Sequence, residues 1–230
     1  MITAIYVAAA ILPAIFLMYY IYQNDTIEKE PMSLLLRLVL SGVYAAGLAL
    51  VLELIGDRVL GNISFESELQ IAVAEAIMIA ISEEGAKLLF LYRRTWKNPN
   101  FNFRYDGIVY AVFVSLGFAA LENIEYVFQF GLSIAVSRAL LAVPAHMAFG
   151  VFMGAYYGRA KVYDVYGKTS ASTLSLILGF LAAVFLHAFY DACALLSSDR
   201  AMLVFIAFVV VMYVVVINKV RRESQTDHEI

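Results

Sequence analysis

Apolar residues along this chain come in runs too long for an ordinary soluble fold. Seven segments, at 2–22, 33–55, 69–92, 107–129, 133–157, 172–196 and 200–218, are each long enough to cross a bilayer, since a span needs roughly 20 residues and about 17–25 is usual. The pattern predicts an all-α fold, a polytopic transmembrane helical bundle of about seven spans with a polar intramembrane site. The loops between the runs are short. A single integral membrane domain over 1–218 is therefore expected, followed by a short, disordered cytoplasmic tail at 219–230. The second run is the weakest, with Arg37 and Glu53 near its ends, where both side chains can snorkel to the interface. The stretch 56–68 carries Asp57, Arg58, Glu66 and Glu68 and reads as an interfacial loop or short surface helix.

Composition sharpens this picture. The chain is 63% hydrophobic and 15% charged, with a mean hydropathy of +0.80; a soluble domain is nearer about half apolar and a quarter charged. The lipid bilayer is the expected surrounding, and no nucleic-acid partner is expected. The one cysteine, Cys193, excludes an internal disulfide and a cysteine-rich zinc site. The first run lacks a basic leader and a small-residue exit, so it reads as a retained span. Lys and Arg cluster in alternate loops. One side carries Lys29, Arg93, Arg94, Lys97, Arg104, Arg159, Lys161, Lys168, Lys219, Arg221 and Arg222, the other only Arg58, Arg138 and Arg200. The positive-inside bias then puts the N-terminus outside the cytoplasm and the C-terminus inside.

Four of the runs contain groups that do not belong in lipid. The third holds Glu75, Glu83, Glu84 and Lys87; the fourth Glu122, Asn123 and Glu125; the fifth Arg138 and His146; the sixth His187 and Asp191. Each charge at mid-span costs roughly 2.5–3.5 kcal/mol on insertion scales, so such a cluster is a functional-site hypothesis by default. Glu83 and Glu84 lie four and three residues before Lys87, and His187 lies four before Asp191, spacings that share one helix face. Chain position puts Glu83, Glu84, Glu122, His146, His187 and Asp191 at similar depth. Carboxylates and imidazoles in one low-dielectric pocket suit general acid–base work on a water, and the same groups can hold a divalent metal. Plainer readings exist. Glu83 or Glu84 with Lys87 is also a reasonable structural ion pair, and an intramembrane histidine can simply be hydrogen-bonded packing. Glu75 and Glu125 read as interfacial or packing residues. Arg138 reads as a span-end snorkeller or an internal counter-ion. A proton-coupled transporter, or an immunity or scaffold protein, would also use a polar centre.

Four stretches, in order, carry a resemblance: Glu83-Glu84-Gly-Ala-Lys87; Tyr105-Asp106-Gly107 running through Ser115 and Phe118 to Glu122-Asn123; Arg138 through Pro144 to His146, with Phe149-Gly150 and Gly154; and His187-Ala-Phe-Tyr190-Asp191. With the loop ending Glu30-Pro31, they resemble the PrsW family of bacterial membrane-embedded proteases, which is distantly similar to the CAAX prenyl endopeptidases and Abi-type proteins. The resemblance implies a helical membrane bundle in a bacterial cell membrane, with endoproteolysis of a single-pass membrane protein, an anti-sigma factor, by a first (site-1) cut on the extracytoplasmic side. A sigma factor is then released in a stress response. It implies that Glu83 and Glu84 are the paired glutamates required for activity and that His146 and His187 are the motif histidines. Where the prenyl endopeptidases have Phe-x-x-x-His and His-x-x-x-Asn, this chain has Phe118-x-x-x-Glu122 and His187-x-x-x-Asp191. The expected catalytic set is Glu83, Glu84, His146, His187, Glu122, Asn123 and Asp191. The cofactor stays open between none and a divalent metal such as zinc, for which His146, His187 and Glu122 are the candidate ligands.

Overall fold

The computed structural model describes residues 2–196 and 198–230. Among the described residues eight helices follow one another: α1 (Ile2–Asn24), α2 (Met32–Leu60), α3 (Glu68–Thr95), α4 (Asp106–Phe130), α5 (Ser133–Leu140), α6 (Ala142–Val165), α7 (Thr169–Leu195) and α8 (Asp199–Gln225). All seven predicted runs are helical. By length and composition, six helical stretches can cross a membrane. The exception is α3, a helix of 28 residues whose charges make it too polar for that composition. It is packed between α2 and α7, with Glu83, Glu84 and Lys87 buried, so its central charges are kept out of lipid.

Helix α4 is the axis of the bundle. It packs against α1, α2 and α6, and α6 packs in turn against α7. Small residues set the α4–α6 spacing. A methyl group at Gly107 would come within 2.5 Å of the Gly158 amide nitrogen, and one at Gly154 within 2.5 Å of the Gly107 carbonyl oxygen. Close backbone approach of this kind replaces the hydrophobic drive that helices lack in lipid. The outward faces are apolar: Leu12 and Phe16 on α1, and Leu203, Val210 and Val211 on α8, are exposed.

Three expectations change. The run at 133–157 is two helices that meet at Leu141. Pro144 has no amide hydrogen for the carbonyl of residue 140; the Tyr213 hydroxyl donates to that Leu140 oxygen at 2.8 Å instead. The stretch 56–68 is not a separate interfacial element, because α2 continues to Leu60. The tail at 219–230 is ordered. Helix α8 runs to Gln225, and Glu229 then pairs with Phe103 in an isolated antiparallel bridge. The Tyr105 amide donates to Asp227 Oδ1 at 2.8 Å, the Ile230 amide to the Asn102 carbonyl at 2.7 Å, and Arg104 pairs with Glu223 at 2.6 Å. A polar tail reads as solvated by composition alone. Its partners lie more than a hundred positions earlier, where no local signal points to them.

Beside this tail, the 25–31 loop buries Asp25 and Glu30. Burial pushes the Asp25 carboxyl up to about 6 and the Glu30 carboxyl up to about 7.

Candidate active site

Helix α3 presents its charges inward. Glu83 Oε2 lies 2.9 Å and Glu84 Oε1 2.7 Å from the Lys87 ammonium, so the i+4 and i+3 pairs form together. The same ammonium meets His146 Nδ1, on α6, at 3.1 Å and sits 4.0 Å from the centre of the Phe118 ring. An ammonium has three hydrogens and no acceptor. All three are used here, and His146 Nδ1 must therefore accept.

That fixes the imidazole. His146 carries its proton on Nε2 and donates to Glu122 Oε2, on α4, at 2.9 Å. The same oxygen pairs with Arg138 at 2.9 Å. Arg138 also donates through Nε to Asn123 Oδ1 at 2.5 Å, and Asn123 Nδ2 donates to the Ala10 carbonyl on α1 at 3.1 Å. Of its two readings, Arg138 is the internal counter-ion. The break at Leu141 lets α5 turn it inward.

On the other side, His187 Nδ1 meets Glu84 Oε1 at 2.9 Å, and Nε2 meets Asp191 Oδ2 at 3.2 Å and Glu83 Oε2 at 4.0 Å. An imidazole with a carboxylate at each nitrogen donates to both only as the imidazolium. Its ring stacks on Phe149, centroids 4.7 Å apart, and lies 5.4 Å from the His146 ring. From Arg138 through Glu122, the neutral His146, Lys87 and Glu84 to His187 and Asp191, every charged group thus has an opposite charge in contact with it. Desolvation demands such pairing of buried charges.

A cavity of about 1010 Å³ opens onto one face of this chain of charges. Glu83, Glu122, His146, His187 and Asp191 line it. Glu84, Asn123 and Lys87 do not; they are buried behind it. All seven predicted site residues are thus in one network, in two layers. Sequence reasoning missed two cavity residues, Glu53 and Glu125. Glu53 was expected to snorkel. Its position near the end of a run gave no hint that α2 walls the cavity. From the bottom of the cavity the lining climbs past Arg138 and Ser137 on α5 to Phe130, Leu196 and Met202, at the helix ends away from the basic loops.

The profile of the family described as "PrsW family intramembrane metalloprotease" matches residues 30–218. The chain belongs to that family. Relatives named "Protease PrsW" agree over most of the length. The one from Halalkalibacterium halodurans is 35% identical over 219 residues, 95% of this chain and 97% of its own. Those from Geobacillus kaustophilus and Bacillus subtilis are 35% and 34% identical, covering 84% and 80% of this chain and 81% and 80% of their own. No solved structure matches the chain. Membership of the PrsW family makes this multi-span membrane protein an intramembrane protease. The transporter and scaffold readings fall away.

The family description names a metal, so the donors must be tested for one. Among the described residues, Glu83, Glu84 and His146 offer ligand atoms within 4.8 Å of one another. Of the three expected ligands only His146 belongs to this trio; His187 and Glu122 do not. Zinc would need oxygen and nitrogen donors at about 2.0–2.2 Å around a free centre. The centre is not free. The Lys87 ammonium is hydrogen-bonded to all three donors at 2.7–3.1 Å, and a dication cannot share that position with it. The trio as arranged does not fit a metal ion.

Proposed function

We propose that this protease makes the first cut in a single-pass anti-sigma factor, on the extracytoplasmic side of the bacterial cell membrane, and so starts sigma factor release in a stress response. The cavity carries this reading. It joins a polar centre within the bundle to the helix ends whose loops hold few Lys and Arg, and those ends are extracytoplasmic by the positive-inside rule. The N-terminus is then extracytoplasmic and the C-terminus cytoplasmic. A substrate chain entering beside its own transmembrane segment would reach Glu83 from that side.

Of the paired glutamates, Glu83 is the general base. It lines the cavity, whereas Glu84 is sealed behind it. Glu83 takes a proton from a water as the water oxygen bonds to the scissile carbonyl carbon. The carbonyl oxygen becomes an oxyanion, and His187, held at Nδ1 by Glu84, turns its Nε2–H from Asp191 to donate to it. The tetrahedral carbon then expels the amine. The C–N bond breaks, and the proton that Glu83 holds goes to the leaving nitrogen. Water is divided between a carboxylic acid and an amine, with no net change in the site. His146 and Glu122 wall the cavity beside His187, and Asn123 holds Arg138 against Glu122.

The test is reconstitution in liposomes with a single-pass anti-sigma factor as substrate. Product masses should map one cut on the extracytoplasmic side, close to the transmembrane segment. A cut on the cytoplasmic side, or cleavage only of other membrane proteins, would overturn the proposal.

A further inference from the structure

Lys87 takes no part in the proposed reaction, yet its ammonium sits among Glu83, Glu84, His146 and Phe118. It is 1% exposed, among the largest fully buried side chains of the protein. Its stem rises from the same helix as the two glutamates. Its ammonium sits at the meeting point of Glu83 Oε2, Glu84 Oε1 and His146 Nδ1, at 2.9, 2.7 and 3.1 Å. Its remaining face is closed by the Phe118 ring, 4.0 Å away, in cation–π contact. Carboxylates and an imidazole converging on a point are the ligand types that zinc takes. Here the cation at that point is a side chain.

We propose that the Lys87 ammonium is the resident cation of this site and stands where a metalloprotease holds its zinc, so that the chain hydrolyses peptide bonds without a bound divalent metal. The inference rests on the reading of Glu83 as general base. Two consequences of the geometry support it. First, the three hydrogen bonds saturate the ammonium and leave no acceptor to draw it elsewhere, and its buried position leaves no wet exit. Second, the contact with His146 Nδ1 sets the imidazole tautomer that donates to Glu122. A metal ion at Nδ1 would give the same tautomer, so the exchange of zinc for ammonium preserves the polarity of the wall. What the ammonium cannot do is polarise the scissile carbonyl, because Lys87 does not line the cavity. Lys87 is therefore a positioning residue. It holds Glu83 at the cavity wall and compensates the charge of Glu84. The water must be activated by Glu83 alone, and the oxyanion stabilised by hydrogen bonds.

The experiment measures metal before it measures cleavage. Protein is produced in zinc-supplemented medium, purified in detergent and assayed for metal content, then titrated with Co²⁺ while the visible d–d absorption is recorded. Wild-type protein should hold no stoichiometric zinc, develop no tetrahedral Co²⁺ bands and cleave its substrate equally with and without a chelator. In Lys87→Met the three donors lose their cation. That variant should lose cleavage and gain Co²⁺ binding with tetrahedral bands, and the gain should vanish in Glu83→Gln/Lys87→Met. Stoichiometric zinc in the wild type, or loss of its cleavage on chelation, would overturn the inference. If Lys87→Met does not fold, the wild-type metal content decides alone. The metal readouts need no substrate, so a wrong general base would appear as active Glu83→Gln protein with these readouts unchanged.

Discussion

His187 Nδ1 and Glu84 Oε1, 103 positions apart in the chain, lie 2.9 Å apart and lock α7 to α3. Glu84 is fully buried, and its Oε1 also meets Lys87. Glu84 is thus the anchor of the site, while Glu83, its neighbour in sequence, faces the cavity. Breaking a buried ion pair by removing one partner costs about 3–5 kcal/mol. Glu84→Gln should therefore lower the melting temperature in detergent markedly and reduce cleavage with it. Glu83→Gln should lower the melting temperature much less. Equal destabilisation by the two would deny the division between anchor and base.

Arg138 and His146 share a single oxygen of Glu122. Arg138→Leu would leave Asn123 without its partner and Glu122 with the imidazole alone. Cleavage should fall by about 10²–10³, the range seen when one preorganised polar group is removed from a site. Arg138→Lys should recover only part of it, since an ammonium lacks the fork that reaches Glu122 and Asn123 together. Comparing kcat/KM of the two variants with wild type checks this.

His187 is assigned the hydrogen bond to the oxyanion, and removing one such preorganised donor costs about 10²–10³-fold. His187→Gln should lose activity in that range while the protein still accumulates in the membrane. Asp191→Asn should lose less, because Glu84 still holds the other ring nitrogen. A larger loss for Asp191→Asn than for His187→Gln, measured as single-turnover rates, would contradict the assignment.

The loop at 25–31 gives the fold a pH dependence of definite sign. Burial raises Glu30 from its ordinary 4.5 to about 7 and Asp25 from 3.8 to about 6. The folded chain thus holds these protons over a range where the unfolded chain has lost them. The stability they contribute is fully present below the unfolded values and is lost as pH rises through the folded ones. Between pH 4.5 and 7, wild type should lose more melting temperature than Glu30→Gln does. Parallel melting curves across that window would show that Glu30 is not buried as described.

How much of this was legible beforehand depended on whether the signal was local. The run lengths gave the helices, and the i, i+3 and i+4 spacings around Lys87 and His187 gave pairs that form as read. Pro144 was visible, but unbroken hydropathy across 133–157 hid the break it makes, and with it the inward turn of Arg138. The contact of Lys87 with His146 spans 59 positions, and no periodicity encodes it. Spacing suggested that Lys87 offsets two glutamates; only packing shows that it sits among three donors. Glu53 failed for the opposite reason. A charge near the end of a run normally snorkels, but α2 continues to Leu60, and Glu53 faces a polar cavity from within the helix. The tail failed because its partners, Asn102 to Tyr105, are themselves a polar loop.

The central claim is that Glu83 activates the attacking water. It is tested most directly by a single-turnover assay of purified Glu83→Gln in liposomes with the single-pass substrate, beside wild type. Glutamine keeps the shape and a hydrogen-bonding oxygen but cannot take the proton. The expected result is a variant that is folded, inserted and able to bind substrate, and that yields no product. Product formed at the wild-type rate would contradict the account and remove Glu83 from the chemistry.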